Sequence, residues 1–223
     1  MQRNIDIGLG QLSRQLLTMA GYVEQAIEAA TQGWQKRSMA KIKEVYSVEQ
    51  KVNQSHLQID DYSLKLLALQ QPMAADLRTI VAIIKINSDL ERMADLTVNI
   101  ANNTEYFLQG DPLFDLKELS VMADETRLMV REVLDAFIRT DQVKAREVLL
   151  RDDTVDALKR GIVDSTVERM KTTPNTITQG LNLILMAKNL ERIGDHATNI
   201  AEDVIFMASG EDVRHGNDDK RGK

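Results

Sequence analysis

The chain has 223 residues, with 28 Lys and Arg against 34 Asp and Glu, a formal net charge of −6. This negative surplus argues against a nucleic-acid-binding protein, because phosphate backbones are bound by clustered positive charge. Cysteine is absent, which excludes disulfides and thiolate metal sites, and aromatic residues are only 4%, so the core must consist of the aliphatic residues that favour helices.

Apolar residues recur at intervals of three and four along most of the chain, and no segment alternates as a strand does. Gly110, Asp111 and Pro112 predict a helix stop and restart, and Thr173 with Pro174 predicts an N-cap followed by a first helical residue. The segment 211–223 is polar and charged, and we expect a flexible tail there. The pattern predicts six helices, over 4–33, 38–69, 73–108, 113–139, 141–171 and 174–209.

The chain repeats itself. A shift of 100 residues places 90–101 on 190–201 with seven of twelve positions identical, and a shift of 103 places Trp34 on Phe137, both expected in the core. Each copy holds three long helices joined by short connections, which is the pattern of a bundle. The sequence therefore predicts an all-α fold of two tandem antiparallel three-helix bundles, over 1–110 and 111–210.

Membrane insertion and secretion are not expected. The longest apolar runs, 80–84 and 183–187, have five residues each, far short of a membrane span. The first residues include an acidic side chain and no apolar stretch of the kind a signal peptide carries. These features predict a cytoplasmic protein.

The repeated segment carries a Glu, an Asp and an Asn at spacings of four. At 100° per residue these spacings keep all three side chains on one helical face. Two carboxylates one turn apart can reach one hard cation, and they repel each other when none is bound. A metal ion or an Arg is therefore expected beside them. The residues are Glu91, Asp95 and Asn99 in the first copy, and Glu191, Asp195 and Asn199 in the second.

A weaker acidic pattern lies one helix earlier, where Glu49 and Asn53 align with Asp152 and Asp156. If the second and third helices of each copy are neighbours, each copy gathers three or four oxygen side chains. That number is enough to hold a hard or borderline metal with open positions.

Other interpretations compete with a metal site. A Glu and Asp at this spacing often form a solvated face, and Arg92 and Arg192 are alternative partners for the carboxylates. His196 aligns with Leu96 and is interpreted as a packing or surface residue, while His56 and His215 are interpreted as surface residues. The chain has no Glu-x-x-His motif of di-iron bundles, no phosphate-binding loop and no nucleophile triad, so an enzyme is not expected.

Four segments, 71–78, 89–95, 151–158 and 189–203, together resemble the PhoU family of phosphate-uptake regulators, and the likeness extends over nearly the whole chain. The resemblance implies two three-helix bundles in a cytoplasmic homodimer that lies at the inner membrane through its partners. Those partners are the ATPase subunit of the phosphate ABC transporter and a phosphate-sensing histidine kinase. The implied function is negative regulation of the phosphate-starvation regulon and of phosphate uptake.

The resemblance also implies metal ions, of iron, zinc, manganese or magnesium, on the acidic faces. Glu91, Asp95, Glu191 and Asp195 match the family motif, and Glu49, Asp152 and Asp156 match the motif of the second helix. Asn53 departs from it, because a neutral amide replaces a carboxylate, so the two sites need not be equivalent. Asn53, Asn99 and Asn199 are expected to support the ligands. The alternative is a metal-independent scaffold whose carboxylates form ion pairs with a partner.

Overall fold

The computed structural model describes residues 3–110, 114–211 and 213. These residues form six long helices and one short 3₁₀ turn, Pro174–Thr176, with no strand among them. The helices are α1 (Asn4–Gln35), α2 (Met39–Gln70), α3 (Ala74–Leu108), α4 (Lys117–Arg139), α5 (Gln142–Thr172) and α6 (Ile177–Ser209). The predicted fold class and the six helices are confirmed.

Side-chain caps and turn residues set several helix ends. The Ser38 hydroxyl accepts a hydrogen bond from the Lys41 amide at the start of α2, and the Asp141 carboxylate accepts from two amides at the start of α5. Gly210, at φ 77°, ends α6 in the left-handed conformation that glycine adopts without strain. Pro174 opens the 3₁₀ turn, so α6 itself begins three residues later than predicted.

Helix α4 begins at Lys117, four residues after the predicted start. The Phe114 ring packs against Phe107 with centroids 6.3 Å apart, and the Asp115 carboxylate accepts a hydrogen bond of 3.0 Å from the Lys117 amide. These contacts hold the chain in an irregular connection before the helix. The predicted stop and restart at Asp111 and Pro112 lies outside the described residues. So does the predicted tail, apart from Glu211 and Val213, and with it His215.

The first three helices pack together and the last three pack together, as the repeat predicts. The most extensive contact between the two bundles joins α3 to α6, and α1 also touches α4. Trp34 and Phe137 are both buried, as expected. The buried apolar side chains of both bundles form one continuous cluster. The two copies therefore share a single core.

Helices α3 and α6 run antiparallel, because Lys85 near the start of α3 contacts Asp203 near the end of α6, and Phe107 contacts Gln179 at the other end. Helices α1 and α2 pack on α3, helices α4 and α5 pack on α6, and α1 also touches α4. None of the described helices is long and apolar enough to cross a membrane.

Candidate functional site

The repeated motif has the same placement in both copies. Every position of 90–101 has the same degree of burial as its counterpart in 190–201. Glu91 and Glu191 are half-buried, whereas Asp95 and Asp195 are exposed. The apolar side chains between them fix which face of each helix meets the core, so the two acidic pairs point the same way relative to their own bundles.

The acidic face of the second copy consists of Asp152 and Asp156 on α5 with Glu191 and Asp195 on α6, and we call it the second acidic face. Burial, followed by the charges of Asp195 and Asp156, raises the pKa of Asp152 to about 6. Burial and the charge of Glu191 likewise raise the pKa of Asp195. The carboxylates of the two helices therefore lie within electrostatic reach of each other.

One oxygen of the second acidic face is unsatisfied. Asp152 Oδ1 is buried and accepts no hydrogen bond. It lies beside the backbone of α6, since a Cβ placed on Gly194 would be 3.5 Å from it. A buried carboxylate oxygen without a donor is costly, and a cation is the partner that its charge favours.

The first acidic face consists of Glu49 and Asn53 on α2 with Glu91 and Asp95 on α3. The Asn53 amide donates to Glu49 Oε1 at 2.5 Å, while Asn53 Oδ1 is buried without a donor. Burial, followed by the charge of Asp95, raises the pKa of Glu91, and His56 acts in the opposite direction. This face has three carboxylates where the second has four.

The donors fit a hard or borderline cation by type, and the unsatisfied Asp152 oxygen supports the fit. As the side chains lie, however, no three His, Asp or Glu residues within the described ranges are arranged to hold a metal ion. A bound cation would have to draw the carboxylates together. The metal ligands expected from the sequence therefore stay a prediction.

The remaining predicted residues have local contacts. Asn199 donates to Asp89 Oδ1 at 3.4 Å, so its amide points across to α3. Asn99 is exposed, and its backbone carbonyl accepts a hydrogen bond from the Asn103 amide. Arg92 and Arg192 are exposed and form no salt bridge with any described residue.

Each acidic face also holds a basic side chain that the spacing of the carboxylates does not predict. Lys159 on α5 lies with its Nζ 2.6 Å from Glu191 Oε1. The shift of 103 places Lys159 on His56, which is half-buried and, contrary to the surface interpretation, close enough to Glu91 to act on its pKa. Both residues follow the acidic pattern of their helix by three positions, and comparing the two copies position by position would have identified them.

Two polar pairs join α3 to α6. His196 Nδ1 is 2.8 Å from Asp89 Oδ1 with both side chains nearly buried, and Lys85 Nζ is 2.9 Å from Asp203 Oδ1. His196 is thus a packing residue between the two copies, in agreement with the sequence. Its partner was not predicted, because periodicity within a helix does not say which helices of two bundles meet.

Comparison with known proteins gives a consistent result. A family model described as PhoU domain matches residues 16–104 and 119–204. The chain is 36% identical over 208 residues to the phosphate-specific transport system accessory protein PhoU homolog of Pseudomonas putida, covering 93% of this chain and 81% of that protein. It is 34% identical over 214 residues to the accessory protein PhoU of Edwardsiella tarda, covering 95% and 87%.

Solved structures agree over the same length. The crystal structure of PhoU from Pseudomonas aeruginosa superposes with a TM-score of 0.90 at 33% identity, covering 93% of this chain and 100% of that one. The phosphate transport system regulatory protein PhoU from Streptococcus pneumoniae superposes with a TM-score of 0.87 at 25% identity, covering 94% and 99%. The similarity therefore extends over both bundles.

Proposed function

The chain belongs to the PhoU family, and we propose that it is a regulatory adaptor between the phosphate ABC transporter and a phosphate-sensing histidine kinase. The observation that supports this most is the extent of the match, since relatives named as accessory proteins of phosphate-specific transport align with more than nine tenths of the chain. In this proposal the protein contacts the transporter ATPase subunit at the cytoplasmic side of the inner membrane, as a homodimer.

The proposed role is negative regulation. When phosphate is abundant, the adaptor restrains uptake and keeps the phosphate-starvation regulon silent by favouring one state of the kinase. This task is done by protein contacts and requires no catalytic group. A pull-down with the purified ATPase subunit and the kinase cytoplasmic region, with light scattering for the dimer, tests it directly. Retention of neither partner would contradict the adaptor role.

We include metal ions on the acidic faces in the proposal, of iron, zinc, manganese or magnesium. Glu49, Glu91 and Asp95 would hold a cation on the first face, and Asp152, Asp156, Glu191 and Asp195 on the second. Bound metal supplies positive charge that offsets repulsion between the carboxylates. The carboxylates themselves would then tie α2 to α3 and α5 to α6, which fixes the shape of the docking surface.

Paired substitution separates the metal from the fold. We expect Glu91→Ala with Glu191→Ala to lower the metal content of protein purified without chelator and to derepress a phosphate-responsive reporter. Asp61→Ala with Glu168→Ala is the matched control, because both side chains are acidic and exposed, and neither belongs to an acidic face although they lie on α2 and α5. Unchanged metal content and reporter activity in the first double variant would remove metal from the mechanism.

A second candidate is a metal-independent scaffold that uses its carboxylates for ion pairs. The contact of Lys159 with Glu191 favours this scaffold, because the Lys159 ammonium already forms an ion pair with one carboxylate of the second face. Elemental analysis of protein purified without chelator or affinity metal distinguishes the two. Less than one metal ion for about ten chains, even after equilibration with an excess of each of the four metals, would support the scaffold, because a site that favours a cation is filled when free metal is abundant.

A further inference from the structure

We call the contact between α3 and α6 the seam. The repeat relates its two ends to each other: the first end lies near Lys85 and Asp203, the second near Phe107 and Gln179, and the side chains at the two ends differ in chemistry. In the alignment of the two copies by a shift of 100, Lys85 corresponds to Leu185, Asp203 to Asn103, and Phe206 to Tyr106. Because α3 and α6 are antiparallel, each end combines the first half of one helix with the last turns of the other. The same backbone surface is thus present twice with different side chains.

At the first end the chain covers part of this surface with Lys85, whereas Leu77, the counterpart of Ile177, is 42% exposed. Lys85 Nζ lies 2.9 Å from Asp203 Oδ1 and 5.6 Å from the centre of the Phe206 ring. Asp203 is almost fully buried and Phe206 is half-buried. The long Lys85 side chain therefore bridges the two helices and covers the aromatic ring.

At the second end the equivalent surface is apolar and exposed. Ile177, Leu181 and Leu185 follow one another at spacings of four on α6 and are 46%, 51% and 44% exposed. Tyr106 of α3 is 61% exposed, and the antiparallel register that places Phe107 against Gln179 brings it level with this row. We call these four residues the open-end patch. A contiguous exposed apolar patch on a helical surface is typical of a docking site.

The charged side chains that follow the open-end patch along α6 are positive. Lys188 comes three residues after Leu185 and Arg192 four residues after Lys188, so both lie on the same side of α6 as the row, and neither forms a salt bridge with a described residue. Asn102 and Asn103 of α3 stand where the first end has Glu202 and Asp203. In a chain with a net charge of −6, this end of the seam combines apolar side chains with unpaired cations and neutral amides.

We propose that the open-end patch binds an amphipathic helix of a partner protein that carries apolar residues on one side and carboxylates near one end. A row at spacings of four is the ridge that a second helix packs against, and the carboxylates would pair with Lys188 and Arg192. This inference rests on the proposed adaptor role and assigns one of its docking surfaces. The occupant is an acidic amphipathic helix, and the titration below shows which partner of the adaptor carries it.

Calorimetric titration of the full chain with each purified partner tests the proposal. We expect Leu181→Glu to weaken binding of one partner by at least about tenfold, as a buried interface anchor would. Leu185→Lys combined with Asn103→Asp builds the Lys and Asp pair of the first end into the second, and should weaken binding similarly without exposing any core residue. Lys188→Glu with Arg192→Glu should weaken it too, and added salt should weaken wild-type binding.

Leu64→Glu is the matched control, since Leu64 is an exposed leucine on α2 and its change should leave affinity within about twofold. Circular dichroism and melting curves confirm that each variant is folded. Wild-type affinity in Leu181→Glu and in the Leu185→Lys, Asn103→Asp protein would overturn the proposal while the adaptor role stands. Patch variants that alter only self-association would assign the surface to a second copy and overturn it as well. Wild-type protein that binds neither partner would overturn both proposals.

Discussion

The second acidic face has four carboxylates, and the Lys159 ammonium lies 2.6 Å from one of them, Glu191. In the first copy, three carboxylates share the same positions with the Asn53 amide and the His56 imidazole. Burial along the repeated motif is nonetheless the same at every position. The repeat has conserved the backbone and the apolar contacts, whereas the charge balance of the two faces differs, so each face has to be tested separately.

The largest expected effect comes from removing the internal cation of the second acidic face. Lys159→Gln should lower the free energy of unfolding in chelator by about 2 kcal/mol, because Glu191 is mostly buried and would lose its partner among like charges. His56→Gln in the first copy should cost less than about 1 kcal/mol. Urea denaturation of both variants makes the comparison.

Lys65→Gln is the control for a lost lysine, since the pair of Lys65 with Asp61 is fully at the surface and should contribute almost nothing. Equal losses in Lys159→Gln and His56→Gln would show that the two faces are equivalent after all. Added manganese should restore stability to Lys159→Gln more than to wild type if the metal proposal holds.

Position 53 of the first face holds an amide where position 156 of the second face holds a carboxylate. Exchanging the two side-chain types should change the affinity of each face for manganese by about tenfold, upward in the first face and downward in the second. Asn53→Asp gives the first face a fourth carboxylate and should tighten manganese binding, whereas Asp156→Asn removes one from the second face and should weaken it. Isothermal titration measures both. Binding that responds to neither exchange would separate the metal from these helices.

Neutralising the buried carboxylate of the second face should stabilise the metal-free protein. Asp152→Asn removes a charge that is penalised by burial and by Asp195, and should raise the free energy of unfolding by about 1 kcal/mol once solvent screening is allowed for. Glu49→Gln at the matching position of the first face should change it by less than about 0.5 kcal/mol. A stability loss in Asp152→Asn would instead point to a donor for this oxygen.

The smallest expected effect is the pH dependence of the difference in the free energy of unfolding between Asp152→Asn and wild type. The pKa of Asp152 is about 6 in the folded protein, above the value of about 3.9 in an unfolded chain, so on acidification the folded state takes up this proton first. The penalty carried by wild type is therefore full above pH 6 and disappears as the pH falls toward 4. The advantage of Asp152→Asn should shrink over the same range in chelator, and a constant advantage would contradict this origin.

Much of the fold was predictable, because the information is local. Periodic apolar residues placed the helices, and the shift of 100 to 103 residues gave the two bundles. The start of α4 was wrong because it depends on Phe114 packing against Phe107, a contact between residues on either side of a connection that no periodic pattern reveals.

The candidate sites were predictable only in part. The positions of Glu91 and Glu191 follow from helical spacing, and the structure places them as expected relative to the core. Lys159 and His56 were not predicted, because the spacing of oxygen ligands along a helix carries no information about basic side chains on the same face. The pair of Asp89 with His196 was missed because it joins residues from the two copies, and only the packing of α3 on α6 brings them together.

The continuous core described above has a consequence for cooperativity. Because buried side chains of both bundles touch across α3 and α6, neither half can lose its packing without exposing apolar surface of the other. The halves should melt in a single transition, so a ligand held by either copy raises the melting temperature of the entire molecule. Duplication has in this way produced one thermodynamic unit with two acidic faces that differ in charge.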